Sequence, residues 1–482
     1  MRVIVSILAV VATLGFIPGC LKDEPAAPRR ETERASVLPD VESVSREILT
    51  ATGWPAHPSE TAAAASSSKA GSSTLDRVQM LGRFPIGGGV VHYSFRVRVG
   101  TGPYDVIGLH RVVREAAPAR PIRTANNVFL LHGDYKDFPG CFLPGVLSPR
   151  IPDDSGFAFF LAQNDVDVWG IDQAWALVPD GVTDFSFMAD WGMQKHVDWA
   201  SIGVAVARVI RGMTGNGDDG MLLSGYSGGA PIGFALLNQE TQLPKRLRKI
   251  SGFIPVDQAM FTDVPEFDAA MCAFSSSYQA LIDAGQYQDN IPLRLFGIPA
   301  RDDPDGPSQL IPGLTNLQAA LALAASPFIP GLPTHFLAGV FDGSGMPTGF
   351  QYASVDDWID FLVSAPLYEA AAYERDEYLS ACSQAGTVPW VSHFASIRVP
   401  ILYVTAGGGF GLPYMHTLEL LGSTDITHLN ISTHPPEEAE LDFAHIDLFL
   451  AADAPSRVWQ PILSWIRDHS SHGGGRPDLA EH

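Results

Sequence analysis

The segment Gly225-Tyr226-Ser227-Gly228-Gly229, inside LLSGYSGGAP (Leu222 to Pro231), carries a G-x-S-x-G pattern whose serine could attack a carbonyl carbon. A serine hydroxyl is a weak nucleophile on its own. It needs a base within hydrogen-bond reach and a third group that orients the base. Serine and glycine also cluster in ordinary turns, because Gly accepts positive φ and Ser bonds its own backbone. The pattern therefore takes its meaning from what flanks it.

What flanks it is a strand and a helix. GMLLSGYS reads as a buried β run, and GGAPIGFALLN opens a helix directly after it. A sharp strand-to-helix turn holds such a serine in a strained backbone conformation and lifts its Oγ above the sheet. Side chains at Gly225 and Gly229 would clash with the neighbouring strand and helix. The helix N-terminus behind Ser227 favours developing negative charge. Upstream, NVFLLHG (Asn127 to Gly133) is a continuous apolar run ending in a glycine turn, as expected of a parallel strand covered on both faces.

Here the chain resembles the α/β-hydrolase family, over roughly Asn126 to Asp257 and Val399 to His469. The resemblance implies an α/β fold, a mostly parallel sheet with helices on both faces. It implies that His132-Gly133-Asp134 is an oxyanion loop, with the backbone N–H groups of Asp134 and Gly228 as donors. His132 itself reads as structural. The family order of serine, acid, histidine makes a late histidine the base, and His428, His434 and His445 are the candidates. His428 falls inside a strand and His434 before Pro435-Pro436. His445, in DFAHIDLFL, resembles the histidine that leads the last helices of acid-lipase relatives and is the favoured base, with Asp447 charging the helix start.

The acid departs from the commonest family pattern. It usually follows the strand read here as PILYVTAG, yet GGGFGLPYMHTLELLGS contains no Asp or Glu. A triad needs a buried carboxylate to fix the imidazole tautomer. Asp257 ends the apolar run ISGFIPVD, keeps the chain order, and is the favoured acid. Asp425, Glu437 and Glu438 remain alternatives. No cofactor is expected, since CxxC pairs, HExxH and a P-loop lysine motif are missing, and no dense His/Asp cluster has metal spacing.

Strands and helices alternate from Val90 to Asp257 and resume at Val399. Between them, residues 258–398 form an insertion rich in Phe, Pro, Tyr and Trp, expected to be a mainly helical cap over the sheet's C-terminal edge, where ligands bind in such folds. Its aromatic residues, among them Phe267, Phe328, Phe336, Trp358 and Phe361, could line an apolar acyl pocket or form the cap's own core. Val355 to Cys382 is read as helical. The core is then 76–257 and 399–482.

The amino-terminal 20 residues have the layout of an export signal: Arg2, an apolar run from Val3 to Leu14, then GFIPGC. The Gly19-Cys20 junction resembles that of bacterial lipoproteins, which implies lipidation at Cys20 and a membrane anchor in the cell envelope. Leu21 after the cysteine implies outer-membrane sorting. Residues 21–75 read as a tether, with ETAAAASSSKAGSS as its low-complexity part and Val41 to Trp54 as a possible short helix. Export permits disulfides. Cys272 and Cys382 lie in the same insertion and are the expected bridge, leaving Cys141 free.

With 53 acidic against 31 basic residues and a net charge of -22, the chain lacks the basic face that nucleic acid requires. The expected activity is hydrolysis of hydrophobic carboxylic esters, small or lipid, through an acyl-enzyme. An amide, lactone or C–C bond on the same scaffold, or a non-catalytic envelope-anchored binding protein, are the alternatives. The sequence leaves the oligomeric state open.

Overall fold

The computed structural model describes residues 77–216, 220–290, 293–383 and 388–470. Cys20, the export segment, the tether and Val41 to Trp54 lie outside them. A ten-stranded mixed sheet runs through the centre. Three antiparallel strands, β1 (Val78–Gly87), β2 (Val90–Arg98) and β3 (Val106–Ala117), form one edge, and the two-residue β4 (Arg120–Pro121) pairs with β3. The parallel part comprises β5 (Asn127–Leu131), β6 (Asp167–Asp172), β7 (Met221–Tyr226) and β8 (Ile250–Val256). After the insertion it continues with β13 (Ile401–Ala406) and β14 (Ile426–Ile431). The order across the sheet is β1-β2-β3-β6-β5-β7-β8-β13-β14.

Every residue of β5 and of β7 is buried, because helices cover both faces. Alternate side chains feed two cores. Phe129, Leu131 and Leu223 enter the one that packs against α2 (Met193–Met213) and α3 (Gly229–Glu240). Val128, Leu130 and Leu222 enter the other, against α1 (Phe157–Gln163) and α6 (Gln460–His469). The period-two geometry of a strand sends neighbours to opposite faces, so a continuous apolar run satisfies both layers.

The insertion between β8 and β13 is mainly helical. It contains α4 (Pro265–Asp283), three shorter helices (Leu293–Asp302, Asn316–Ala325, Val355–Val363) and α5 (Ala371–Ala381). Two small antiparallel pairs complete it: β9 (Gln288–Asn290) with β12 (Tyr368–Ala370), and β10 (Gly339–Phe341) with β11 (Pro347–Phe350). Cys272 on α4 and Cys382 at the end of α5 are joined in a disulfide that closes 110 residues of chain, and Cys141 is buried and free.

Three local readings need correction. The stretch Val355 to Cys382 is not one helix: a break at Ser364-Ala365-Pro366 separates two helices, and β12 lies between them. Leu412 to Leu421, whose pattern after the strand Val399 to Gly407 predicts a helix, holds only a 3-10 turn and the single turn His416–Glu419. Strand β1 was hidden by Gly82 and Pro85, which break its alternation; they fall at the register irregularities of its pairing with β2. No helix among the described residues is long and apolar enough to cross a membrane.

Candidate active site

Ser227 follows the last residue of β7 and precedes α3, with its own φ at 53° in the left-handed region that side chains avoid. The strain is held by packing. A Cβ on Gly225 would come within 2.3 Å of the Gly229 carbonyl oxygen, so only glycine lets the turn close. The Ser227 N–H donates to the Val256 carbonyl at the end of β8, and the Ser227 carbonyl accepts from Ala230 N–H. Of five non-glycine residues at positive φ among the described residues, three gather here: Tyr135, Ser227 and Asp257. Such clustering of strained backbone is typical of functional sites.

Asp257, directly after β8, is fully buried, and its carboxylate accepts three backbone N–H groups: Ala406 at 2.8 Å, Phe410 at 2.9 Å and Gly411 at 3.0 Å. Its fourth partner is His445 Nδ1 at 2.8 Å. That bond assigns the proton to Nδ1 and leaves Nε2 with a free lone pair, the form a general base requires. The loop after β13, GGGFG, carries no acid; it wraps the one supplied by β8. A Cβ on Gly409 would fall 2.1 Å from Asp257 Oδ2.

The His445 ring lies between Phe410 (centroids 4.3 Å apart, 23° between planes) and Tyr226 (4.7 Å, 23°). Tyr226 also donates its hydroxyl to the His445 carbonyl at 3.2 Å. Since Tyr226 precedes Ser227, one strand end supplies both the serine and a wall for the imidazole. Ser227, His445, Tyr226 and Phe410 open on one cleft. Its remaining walls include Phe267, Met271, Phe328, Phe336, Trp358 and Phe361 from the insertion, so these apolar residues face the cleft as well as the cap's interior.

The other candidate histidines and acids stand apart. His428, on the edge strand β14, bonds Thr405 of β13, and His434 pairs with the exposed Glu438. Asp425 is exposed and faces His469 at 3.6 Å, while Glu437 is exposed on a surface turn. His132 is structural: its Nε2 accepts the Gln173 N–H at 2.9 Å and Nδ1 meets the Gly133 carbonyl at 2.8 Å, while burial lowers its pKa to about 4. Asp447 is buried and accepts the Ala338 and Ala444 N–H groups, both at 3.0 Å, which ties the cap to the histidine loop.

On the other side of the serine, Asp134 follows β5 and Gly133. Its carboxyl lies over Gly228, where a Cβ would come within 1.9 Å of Oδ1, and turns back toward its own N–H. Among the described residues, neither the Asp134 nor the Gly228 N–H donates to another residue's backbone carbonyl outside the regular elements. The Gly228 carbonyl accepts the Tyr373 hydroxyl at 2.5 Å, so α5 of the cap braces the turn. Tyr226, Tyr373 and Phe410 were not singled out from sequence. Only Tyr226, inside the G-x-S-x-G pattern, lay where attention was due.

No protein-family model and no curated protein matches the chain. Solved structures do. A candidate lipase from Sulfolobus solfataricus superimposes with a TM-score of 0.58 at 17% identity, over 82% of this chain and 99% of the other. A soluble variant of monoglyceride lipase from Saccharomyces cerevisiae, solved with a substrate analogue, gives 0.41 at 13% identity, over 76% and 92%. The molecule has the α/β-hydrolase fold: a mostly parallel sheet flanked by helices. Within that class, the particular version here is one with a long inserted cap and an acid at the end of the strand that follows the serine's.

Proposed function

We propose that the protein is a serine hydrolase of hydrophobic carboxylic esters. The observation that carries this is the buried Asp257–His445 pair, with Nε2 of His445 left free beside the strained Ser227 turn in an apolar cleft. Ser227 Oγ attacks the ester carbonyl carbon while its proton passes to His445 Nε2. The oxyanion forms against the N–H groups of Gly228 and Asp134, and loss of one such donor costs about 3 kcal/mol of barrier. The tetrahedral species collapses as His445 returns the proton to the departing alcohol. Water, deprotonated by the same histidine, then releases the acid and frees Ser227.

The aromatic and aliphatic walls suit an acyl chain or ring over a charged group. Lipidation at Cys20 and residence in the cell envelope complete the reading, on the strength of the GFIPGC segment. A fluorophosphonate probe tests it: the wild type should label at Ser227 and hydrolyse p-nitrophenyl esters. Ser227→Ala should do neither, with turnover down on the order of 10⁶-fold. Full activity in folded Ser227→Ala would refute the assignment.

A further inference from the structure

Beside the serine, the junction of core and cap gathers buried carboxylates that the hydrolytic reading does not use. Asp134, Glu369 of β12 and Glu374 of α5 each offer an oxygen, and these oxygens all lie within 4.8 Å of one another. Glu377, one turn further along α5, meets Asp134 carboxyl to carboxyl and accepts Gln258 Nε2 at 2.6 Å. Glu369 and Glu374 are fully buried. Neither oxygen of Glu374 meets an N–H or hydroxyl donor, and the same is true of Glu369 Oε1 and Asp134 Oδ1, while Glu374 meets Glu369 carboxyl to carboxyl.

Buried carboxyl oxygens without partners are rare, and a burial penalty of several kcal/mol per ion makes an uncompensated trio untenable. Burial together with mutual repulsion pushes the carboxyls of Asp134, Glu369 and Glu374 well up. Nearby cations are engaged elsewhere. Lys136 Nζ donates to the Phe361 carbonyl and Ser364 Oγ, and Arg375 to Asp376 and Gln279. Among the described residues, no basic side chain forms an ion pair with Asp134, Glu369, Glu374 or Glu377.

We infer that Asp134, Glu369 and Glu374 bind a hard divalent cation of the calcium type at the core–cap junction. Such ions take carboxylate oxygens at 2.3–2.6 Å, so oxygens of one shell stand up to about 5 Å apart, a span that the trio matches. Glu369 is already aimed: its Oε2 accepts the Tyr135 N–H at 2.9 Å, which turns Oε1 to the cluster. The residues lie far apart in the sequence, 134 against 369 and 374, so no local spacing announces them. The consequence for catalysis rests on the esterase reading. A bare Asp134 carboxylate beside the Gly228 N–H would oppose an oxyanion, and a bound cation cancels that charge while pinning the oxyanion loop to α5.

Binding is tested on the full chain after EDTA treatment, by titrating Tb³⁺ with excitation of tyrosine and displacing it with Ca²⁺ or Mg²⁺. Tyr135 and Tyr373, which adjoin the trio in sequence, are the expected sensitisers. The expected result is saturable emission at one equivalent, displaced by Ca²⁺ at lower concentration than by Mg²⁺, and a rise in thermal midpoint with Ca²⁺. Glu374→Gln should weaken Tb³⁺ at least about tenfold and abolish the Ca²⁺-dependent midpoint shift, and Glu369→Gln serves if that variant does not fold. No saturable emission, unchanged affinity in a folded variant, or a midpoint that answers to pH but not to millimolar Ca²⁺ would overturn the proposal, the last because shared protons would then hold the cluster. Ser227→Ala should bind Tb³⁺ as the wild type does, so failure of the esterase reading and failure of the metal site remain separately visible.

Discussion

Two groups of buried carboxylates flank the same serine turn, and they are solvated in opposite ways. Asp257 receives three backbone N–H groups and the His445 imidazole, while Glu374, equally buried, receives no N–H and meets only the carboxyl of Glu369. Asp447 stands between them with two N–H donors on Oδ2 and an unpartnered Oδ1. Burial alone disfavours a charged carboxylate, and donors aimed at it reverse that preference. Where the backbone supplies donors, the carboxylate's hydrogen bonds are met from within the chain. Where it supplies none, a proton or a cation must come from outside the chain.

After loss of the serine itself, the largest effect is expected at the satisfied end. Asp257→Asn leaves the shape but presents an amide to His445 Nδ1 and to three N–H groups that need an acceptor. The imidazole then loses its imposed tautomer, and kcat should fall about 10⁴-fold. Asp425→Asn, on the surface, should change kcat by less than twofold. Comparable losses in both would erase the contrast between a buried, donor-fed acid and an exposed one.

Asp447 tests the middle of the series. Burial raises its pKa from the usual 3.8 to about 7, against the pull of its two N–H donors. A raised folded-state pKa means that the native protein keeps a proton which the unfolded chain releases. Its stabilising contribution is therefore complete below about pH 4 and is lost as pH rises toward 7, at about 1.4 kcal/mol per pH unit. Asp447→Asn, which mimics the protonated form, should lack this slope. Its thermal midpoint should gain on the wild type steadily from pH 4 to pH 7, and parallel curves would show that the two donors outweigh burial.

This gradient also explains what could be read from the sequence. The parallel sheet and the serine turn were legible because local rules write them: apolar runs such as that of β5, and glycines at fixed offsets around Ser227. Asp257 was legible only as the end of an apolar run in chain order. What makes it a good acid lies far along the chain, in a loop of glycines whose N–H groups face it, and backbone donors leave no trace in composition. The loop looked deficient because it has no acid, yet it holds the acid of another strand. Glu369 and Glu374 were illegible for a related reason, since helix α5 reads as an ordinary polar helix until its surroundings are known. β1 was lost to Gly82 and Pro85, which obscure the alternation on which strand reading depends.

A smaller effect is expected at Tyr373, which belongs to the same helix as Glu374 but reaches the serine turn. Its hydroxyl donates to the Gly228 carbonyl, so Tyr373→Phe removes one hydrogen bond from the peptide next to Ser227. The cost should be about 1 kcal/mol, or roughly five- to tenfold in kcat, with KM for a p-nitrophenyl ester nearly unchanged because the hydroxyl faces the turn and not the acyl group. The hydroxyl is no ligand of the carboxylate trio, so the Ca²⁺-dependent rise in midpoint should persist. A variant that lost both would show that the two regions act as one unit through α5. Loss of kcat alone keeps them distinct: a helix that braces the turn with one residue and gathers charge with the next.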